Sequence, residues 1–170
     1  MEPIFLTDKI KALLPDIHAF VKEELLPLER EFSFHNVTAI TAALNEKREK
    51  VKQNGWWGLH LPTSEGGWGL TLCEFGQLSE VLARAPFFGH YTFNCQAPDI
   101  GNTELIHKFG SPEIRAKYLK PLLDGTIRSC FSMTEPEFAG SNPTRLATTA
   151  IRDGNEYVIN GHKWFTTAAD

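Results

Sequence analysis

Arg145-Leu146-Ala147-Thr148-Thr149-Ala150-Ile151-Arg152, Asp153-Gly154-Asn155 and Glu156-Tyr157-Val158-Ile159-Asn160 form the stretch that decides the fold. Its Thr, Ile and Val residues recur in the short alternating pattern of strands. Asp153-Gly154-Asn155 supplies the small, permissive residues of a hairpin turn. Asn160-Gly161 is a second hairpin signal, leading into His162-Lys163-Trp164-Phe165-Thr166-Thr167. Nothing before Gly125 reads this way. The change of period predicts an α+β chain, with an all-α domain over 1–125 followed by the opening strands of an antiparallel β domain over 126–170. So few strands cannot bury a sheet by themselves, so the chain is expected to stop inside that domain.

Upstream, apolar residues recur at helical steps. From Thr7 the stripe is Leu13, Leu14, Ile17, Phe20, Val21, Leu25 and Leu28, with Pro15 as a point of kinking or restart. Asn36 is placed to cap a second helix carrying Val37, Ile40, Leu44 and Val51, and Gly55 to stop it. The Gly- and Trp-rich run from Gly55 to Gly69 reads as a tight loop packed on the core. Thr71-Leu72-Cys73-Glu74 is a capping box for a helix with Phe75, Leu78, Ser79 and Leu82. A further helix from about Pro98 uses Ile100, Leu105, Ile106 and Phe109. Ser111-Pro112 opens a short one that shows Tyr118 and Leu119, with a turn at Asp124-Gly125.

The 170 residues carry a net charge of −4, and no Lys/Arg block runs along them. That gives no basis for nucleic-acid binding or attraction to an anionic membrane. No apolar run approaches the length of a membrane span, and no signal peptide is evident, so a soluble protein of a cytosol-like compartment is expected. Cys73, Cys95 and Cys130 are scattered and read as reduced, small buried side chains. The six histidines show no metal spacing, and no metal is expected.

Two segments have chemical character. Cys130-Phe131-Ser132-Met133-Thr134-Glu135-Pro136 runs as a strand into a turn, then into the small, hydroxyl-bearing Gly140-Ser141 loop. Such a loop can offer amides and a hydroxyl to an anion or a polar heterocycle edge. In Trp164-Phe165-Thr166 an aromatic face sits beside a hydroxyl, which suits a flat redox-active ring. By composition alone each segment also reads as ordinary strand and turn with core aromatics.

Together they resemble the acyl-CoA dehydrogenase family. Its Met/Val-Thr-Glu-Pro and Gly-Ser-Asp pattern corresponds to Met133-Thr134-Glu135-Pro136 and Gly140-Ser141-Asn142. Its later Asn-Gly-x-Lys-x-Trp/Phe-x-Thr/Ser pattern begins at Asn160 and runs into Trp164-Phe165-Thr166. Glu23-Glu24-Leu25-Leu26-Pro27, Leu61-Pro62 with Gly66-Gly67-Trp68-Gly69, and Lys117-Tyr118-Leu119-Lys120-Pro121-Leu122 extend the likeness along the whole chain. The turn Glu137-Phe138-Ala139 is one residue longer than the common form, and Asn142 stands where Asp is usual.

The resemblance implies a barrel-like middle domain and FAD as cofactor. Phe131 and Met133 would lie beside the flavin ring, and Thr134 would hydrogen-bond its pyrimidine edge. Gly140 would sit near phosphates, with Ser141 touching the CoA moiety. Trp164 and Phe165 would border a ring face, and Thr166 would bond near N5. Phe87 to Gln96 falls where the family lines its acyl pocket.

The implied reaction is α,β-dehydrogenation of an acyl-CoA thioester, with hydride passing from Cβ to flavin N5. The base is a Glu in a later helical domain that nothing here matches, so no catalytic residue is assigned and residues 1–170 alone are expected to be inactive. Glu135 is read as a structural partner in its turn. The implied partners are an acyl-CoA substrate, an electron-transferring flavoprotein as acceptor and further copies in a homo-oligomer. The alternatives are an acyl-CoA oxidase or flavin monooxygenase of the same fold, and a non-catalytic helical interaction module.

Overall fold

The computed structural model describes residues 6–32, 37–138 and 142–169. Two compact units divide between Gln96 and Ala97.

The first unit is helical. Thr7 caps α1 (Asp8–Phe20), its hydroxyl accepting from the Ile10 amide. Pro15 is carried inside α1 without ending it. A wide π turn over Val21–Leu25 leads into α2 (Leu26–Glu31), whose second residue is Pro27. The wider turn shifts the hydrogen bonding just where proline withdraws a donor. α3 (Val37–Gln53) ends at Gly55, where φ is 70°. There the Gly55 amide bonds Lys52 O and the Trp56 amide bonds Val51 O, closing a Schellman motif that glycine's left-handed backbone allows. The cap expected at Asn36 lies outside the described residues.

The loop after α3 is tied down at both ends. Trp68 Nε1 donates to Gly55 O at 2.7 Å, and the Gly69 amide donates to Leu61 O at 2.9 Å. A Cβ on Gly67 would lie 2.2 Å from Leu61 O, so no side chain fits there. α4 (Leu72–Leu82) begins with the complete reciprocal capping box between Thr71 and Glu74. The short α5 (Gly89–Thr92) follows. Ile10, Ile17, Leu25, Val51, Leu59, Leu78, Leu82 and Phe93 are fully buried. Phe20 meets Trp56 and Phe93 edge-on, and Arg48 lies over the Trp57 and Tyr91 rings.

The second unit begins with α6 (Asp99–Phe109), α7 (Pro112–Ile114), a π turn over Arg115–Leu119 and α8 (Lys120–Asp124). Ser111 caps α7, and Gly125, at φ 68°, ends α8. α6 turns Asp99 and Thr103 inward and leaves Leu105 and Phe109 exposed, correcting the expectation that those two belong to the core. The cause is polar. Buried Asp99 accepts from Arg128 Nε at 2.6 Å, the Ser129 amide at 2.8 Å and the Ser129 hydroxyl at 2.6 Å. Asn102 adds bonds to Ser129 Oγ and Cys130 O. Together these bonds anchor the entry to the strand segment that follows.

β1 (Thr149–Asp153) and β2 (Glu156–Asn160) pair antiparallel around Gly154-Asn155, with Asp153 opposite Glu156. All ten strand residues are exposed. β1 starts later than the pattern predicts, because Pro143–Arg145 form a 3-10 turn and the amides of Ala147 and Thr148 are taken by Glu135. The second hairpin, expected at Asn160-Gly161, does not form. The segment beyond it pairs with residues 131–135 instead. The cysteine reading is corrected too: Cys95 is buried, but Cys73 and Cys130 are exposed, all three as free thiols. Burial pushes the Cys95 thiol up to about 12.

Candidate functional site

The candidate site is a pair of extended segments, 131–135 and 163–167, in one antiparallel register. Phe131 and Thr167 exchange backbone bonds of 3.1 and 3.3 Å. Ser132 faces Thr166, Oγ to Oγ1 at 3.1 Å. Thr134 faces Trp164 through two bonds, Trp164 N to Thr134 O at 3.2 Å and Thr134 Oγ1 to Trp164 O at 2.7 Å. Glu135 faces Lys163, whose ammonium donates to a carboxylate oxygen at 2.9 Å and to Met133 O at 2.8 Å.

Glu135 is the anchor of this pair. It is 2% exposed and accepts from the Thr148 hydroxyl at 2.5 Å, the Ala147 amide at 2.6 Å and the Thr148 amide at 2.9 Å, besides Lys163. A carboxylate has lone pairs for all of these bonds. The Thr148 hydroxyl, the Ala147 amide and Lys163 hold its carboxyl down at about 2. A side chain so occupied is a brace and not a proton acceptor for chemistry. It joins three stretches of chain, around residues 133–135, 147–148 and 163.

The aromatic side chains of the pair are open to solvent. Phe131, Trp164 and Phe165 are exposed, Phe165 at 83%. Phe165 has φ 45°, an uncommon conformation for a bulky residue and one found where local structure over-determines the backbone. This kink interrupts the ladder between Trp164 and Thr167. It leaves the Trp164 and Phe165 rings 4.8 Å apart at 50°.

Of the residues singled out in the sequence, Phe131, Met133, Thr134, Trp164, Phe165 and Thr166 lie together here. Gly140 and Ser141 lie outside the described residues. Past the longer turn, Asn142 Oδ1 accepts from the Thr144 amide and hydroxyl, a local role that needs no charge. In the segment Phe87 to Gln96, Phe88, Thr92, Phe93, Asn94 and Cys95 are buried and Phe87 is exposed. His90 there bonds Ser79 Oγ at 2.7 Å, and burial lowers its pKa. Ser132, Thr148 and Lys163 were not picked out as site residues. For Ser132 a signal was present, since Ser132 and Thr134 alternate on one strand at the spacing of a single face. No group of three or more His, Cys, Asp or Glu side chains among the described residues could hold a metal ion. No helix among them is long and apolar enough to cross a membrane.

Comparison with known proteins identifies the family. The family model "Acyl-CoA dehydrogenase, N-terminal domain" matches residues 7–126, and "Acyl-CoA dehydrogenase, middle domain" matches residues 130–170. The chain belongs to the acyl-CoA dehydrogenase family, and its helices followed by antiparallel strands are that family's fold.

It is 37% identical over 171 residues to acyl-CoA dehydrogenase family member 11 of Homo sapiens, covering 96% of this chain and 21% of that protein. It is 36% identical over 176 residues to acyl-CoA dehydrogenase family member 10 of Mus musculus, covering 98% and 16%. A solved structure from Mycobacterium abscessus, assigned to the acyl-CoA dehydrogenases, superposes with a TM-score of 0.84 at 37% identity, covering 94% of this chain and 42% of that one. An acyl-CoA dehydrogenase complexed with FAD, from Bacillus anthracis, gives 0.65 at 25% identity, covering 99% and 28%. The chain thus spans less than a quarter of the length of these two curated relatives.

Proposed function

We propose that residues 126–170 form the flavin-ring side of an acyl-CoA dehydrogenase site, in a protein that introduces an α,β double bond into an acyl-CoA thioester. The observation that carries this reading is the antiparallel pairing of residues 131–135 with 163–167, which brings Phe131, Thr134, Trp164, Phe165 and Thr167 together and leaves the three rings exposed. The FAD-bound Bacillus anthracis relative supports FAD as the group held there. When bound, FAD supplies the two-electron acceptor that no side chain can provide.

The residues have distinct tasks. Trp164 and Phe165 cover ring surface and exclude water. The Thr134 proton is committed to Trp164 O, so toward the pyrimidine edge Thr134 can only accept, and a ring N–H is its partner. Counted from Asn160, the eight-position family pattern puts its Thr/Ser at Thr167, so Thr167 and not Thr166 is assigned to the redox-active nitrogen. Glu135 and Lys163 hold the two segments in register. Gly140 and Ser141 are assigned to phosphate and CoA contacts. The proton-abstracting carboxylate comes from outside residues 1–170. Acyl-CoA as substrate, an electron-transferring flavoprotein as acceptor and a homo-oligomeric assembly complete the proposal.

The test is anaerobic. The protein purified with its flavin should show bound-flavin absorbance that bleaches on addition of acyl-CoA, and the reduced form should pass electrons to an electron-transferring flavoprotein. Rapid reoxidation by air without that carrier would sink the dehydrogenase reading in favour of an oxidase.

A further inference from the structure

We propose that Asp99 and Asn102 of α6 are positioning residues that set where the Thr167 hydroxyl stands, acting through Ser129 and Phe131. The proposal rests on the flavin-ring reading, in which Thr167 meets the redox-active nitrogen. Asp99, 4% exposed, accepts from Arg128 Nε and, through Oδ1, from the Ser129 amide and hydroxyl. One turn further along the same face of α6, Asn102 Nδ2 donates to Ser129 Oγ at 2.9 Å and to Cys130 O at 3.1 Å. The Ser129 hydroxyl is thereby engaged both as donor and as acceptor. Five bonds thus fix three consecutive residues, 128–130, and the next residue is Phe131.

Phe131 is the residue that meets Thr167, through backbone bonds of 3.1 and 3.3 Å, one in each direction. Beyond the Phe165 kink, Thr167 is held to the first segment by this bridge, with the Ser132–Thr166 hydroxyl contact beside it. The bonds at Trp164 and Lys163 lie on the other side of the kink. Packing cannot fix this stretch, because a cleft of about 380 Å³ lined by Leu105, Ile106, Tyr118, Leu122 and Ile127 opens beside Ser129 and Cys130. Apolar contacts tolerate sliding, whereas directional bonds to a buried carboxylate favour one register. The strand pair is therefore pinned at both ends, by Glu135 at one and by Asp99 and Asn102 at the other. Thr167 belongs to the second end. Loosening it lets Phe131 and Thr167 shift together while Glu135 still holds the pair, so the flavin stays bound and its reduction equilibrium changes.

The experiment compares S129A, S129T, N102A, T167V and S129A/T167V in the flavin-loaded protein, reading flavin stoichiometry, visible spectrum and two-electron reduction potential. S129A removes the hydroxyl bonds to Asp99 and Asn102 and leaves the backbone bond, so the fold and the flavin should be retained. Its equilibrium constant for reduction should change about threefold to tenfold, about 15–30 mV for a two-electron couple, in the same direction as T167V. N102A should shift it likewise, and S129T, which keeps the hydroxyl, should restore the parent potential. In the T167V background S129A should add nothing, because its effect passes through that residue. Leu122→Ala, at a buried position that makes none of these bonds, should lower stability without moving the potential. Parent-like potentials in S129A and N102A, a T167V potential equal to the parent's, an equal S129A shift with and without Thr167, or an equal shift in L122A overturns the proposal. A parent protein that binds no flavin overturns it together with the flavin reading. A parent that is reduced by acyl-CoA, with S129A and N102A matching its potential, overturns the α6 anchor alone.

Discussion

His60 in the first unit and Glu135 in the second are both shielded polar groups, and both titrate below their ordinary values for opposite reasons. Both ring nitrogens of His60 are buried without a hydrogen-bond partner among the described residues, and burial pushes the imidazole down to about 4. Glu135 is saturated, with four donors drawing its carboxyl down to about 2. One group is tolerated because it stays neutral among apolar neighbours such as Phe75; the other is kept because it stays charged. The contrast describes the two units. Aliphatic and aromatic burial holds the first together, whereas in the second a polar brace organises segments that bury little apolar surface.

The largest effect should come from removing the brace. Glu135→Ala removes the acceptor of two amides and the Thr148 hydroxyl and one of the two bonds of Lys163, so flavin affinity should fall on the order of 100-fold or more, measured by titrating flavin into the stripped protein. A variant with parent-like affinity would show that the register is held by something other than Glu135.

The apolar side of the comparison is tested by matched truncations. Leu82→Ala, at a fully buried position, should cost about 2–5 kcal/mol in chemical denaturation, while Ile151→Ala on the exposed hairpin should stay within about 0.5 kcal/mol. A costly Ile151→Ala would mean that β1 and β2 are packed against something in the protein as assayed.

The smallest effect is the most diagnostic, because the two groups predict separate acid windows. Between pH 6.5 and about 4 an unfolded chain protonates His60 while the folded one does not, so stability falls as pH drops through that range. His60→Leu should abolish that loss. Glu135 has the depressed carboxylate pattern. Its stabilisation is complete above about 4.5 and is lost as pH falls toward about 2. Glu135→Gln should remove that lower step alone. Denaturant melts across pH 2–8 would separate the two, and a single merged step would break the comparison.

Much of the helical framework was legible because its signals are local. The reciprocal bonds of Thr71 and Glu74, the Ser111 cap and the glycine stops at Gly55 and Gly125 each span a few residues. The turn at Gly154-Asn155 is equally local. The members of the site were also readable, as strand residues with hydroxyls and rings that fit a family pattern. Their pairing was not. Period and turn chemistry suggested a second hairpin after Asn160, but the segment from 163 to 167 crosses to residues about thirty positions earlier. The exposed α6 stripe was misread for a related reason, since a helical period marks an apolar face without saying which face the polar anchor at Asp99 will turn inward.

By itself, then, the sequence determined where the helices start and stop, that strands follow them, which family pattern the chain carries and which side chains could meet a flavin ring. Tertiary structure alone decided that Glu135 and Lys163 lock the two site segments, that Phe165 takes a left-handed backbone, and that Ser132 comes to lie against Thr166. The physical reason is range. Caps and turns are settled by bonds a few residues long. A buried carboxylate chooses among all the donors the fold can bring to it, and that choice exists only once the chain has closed.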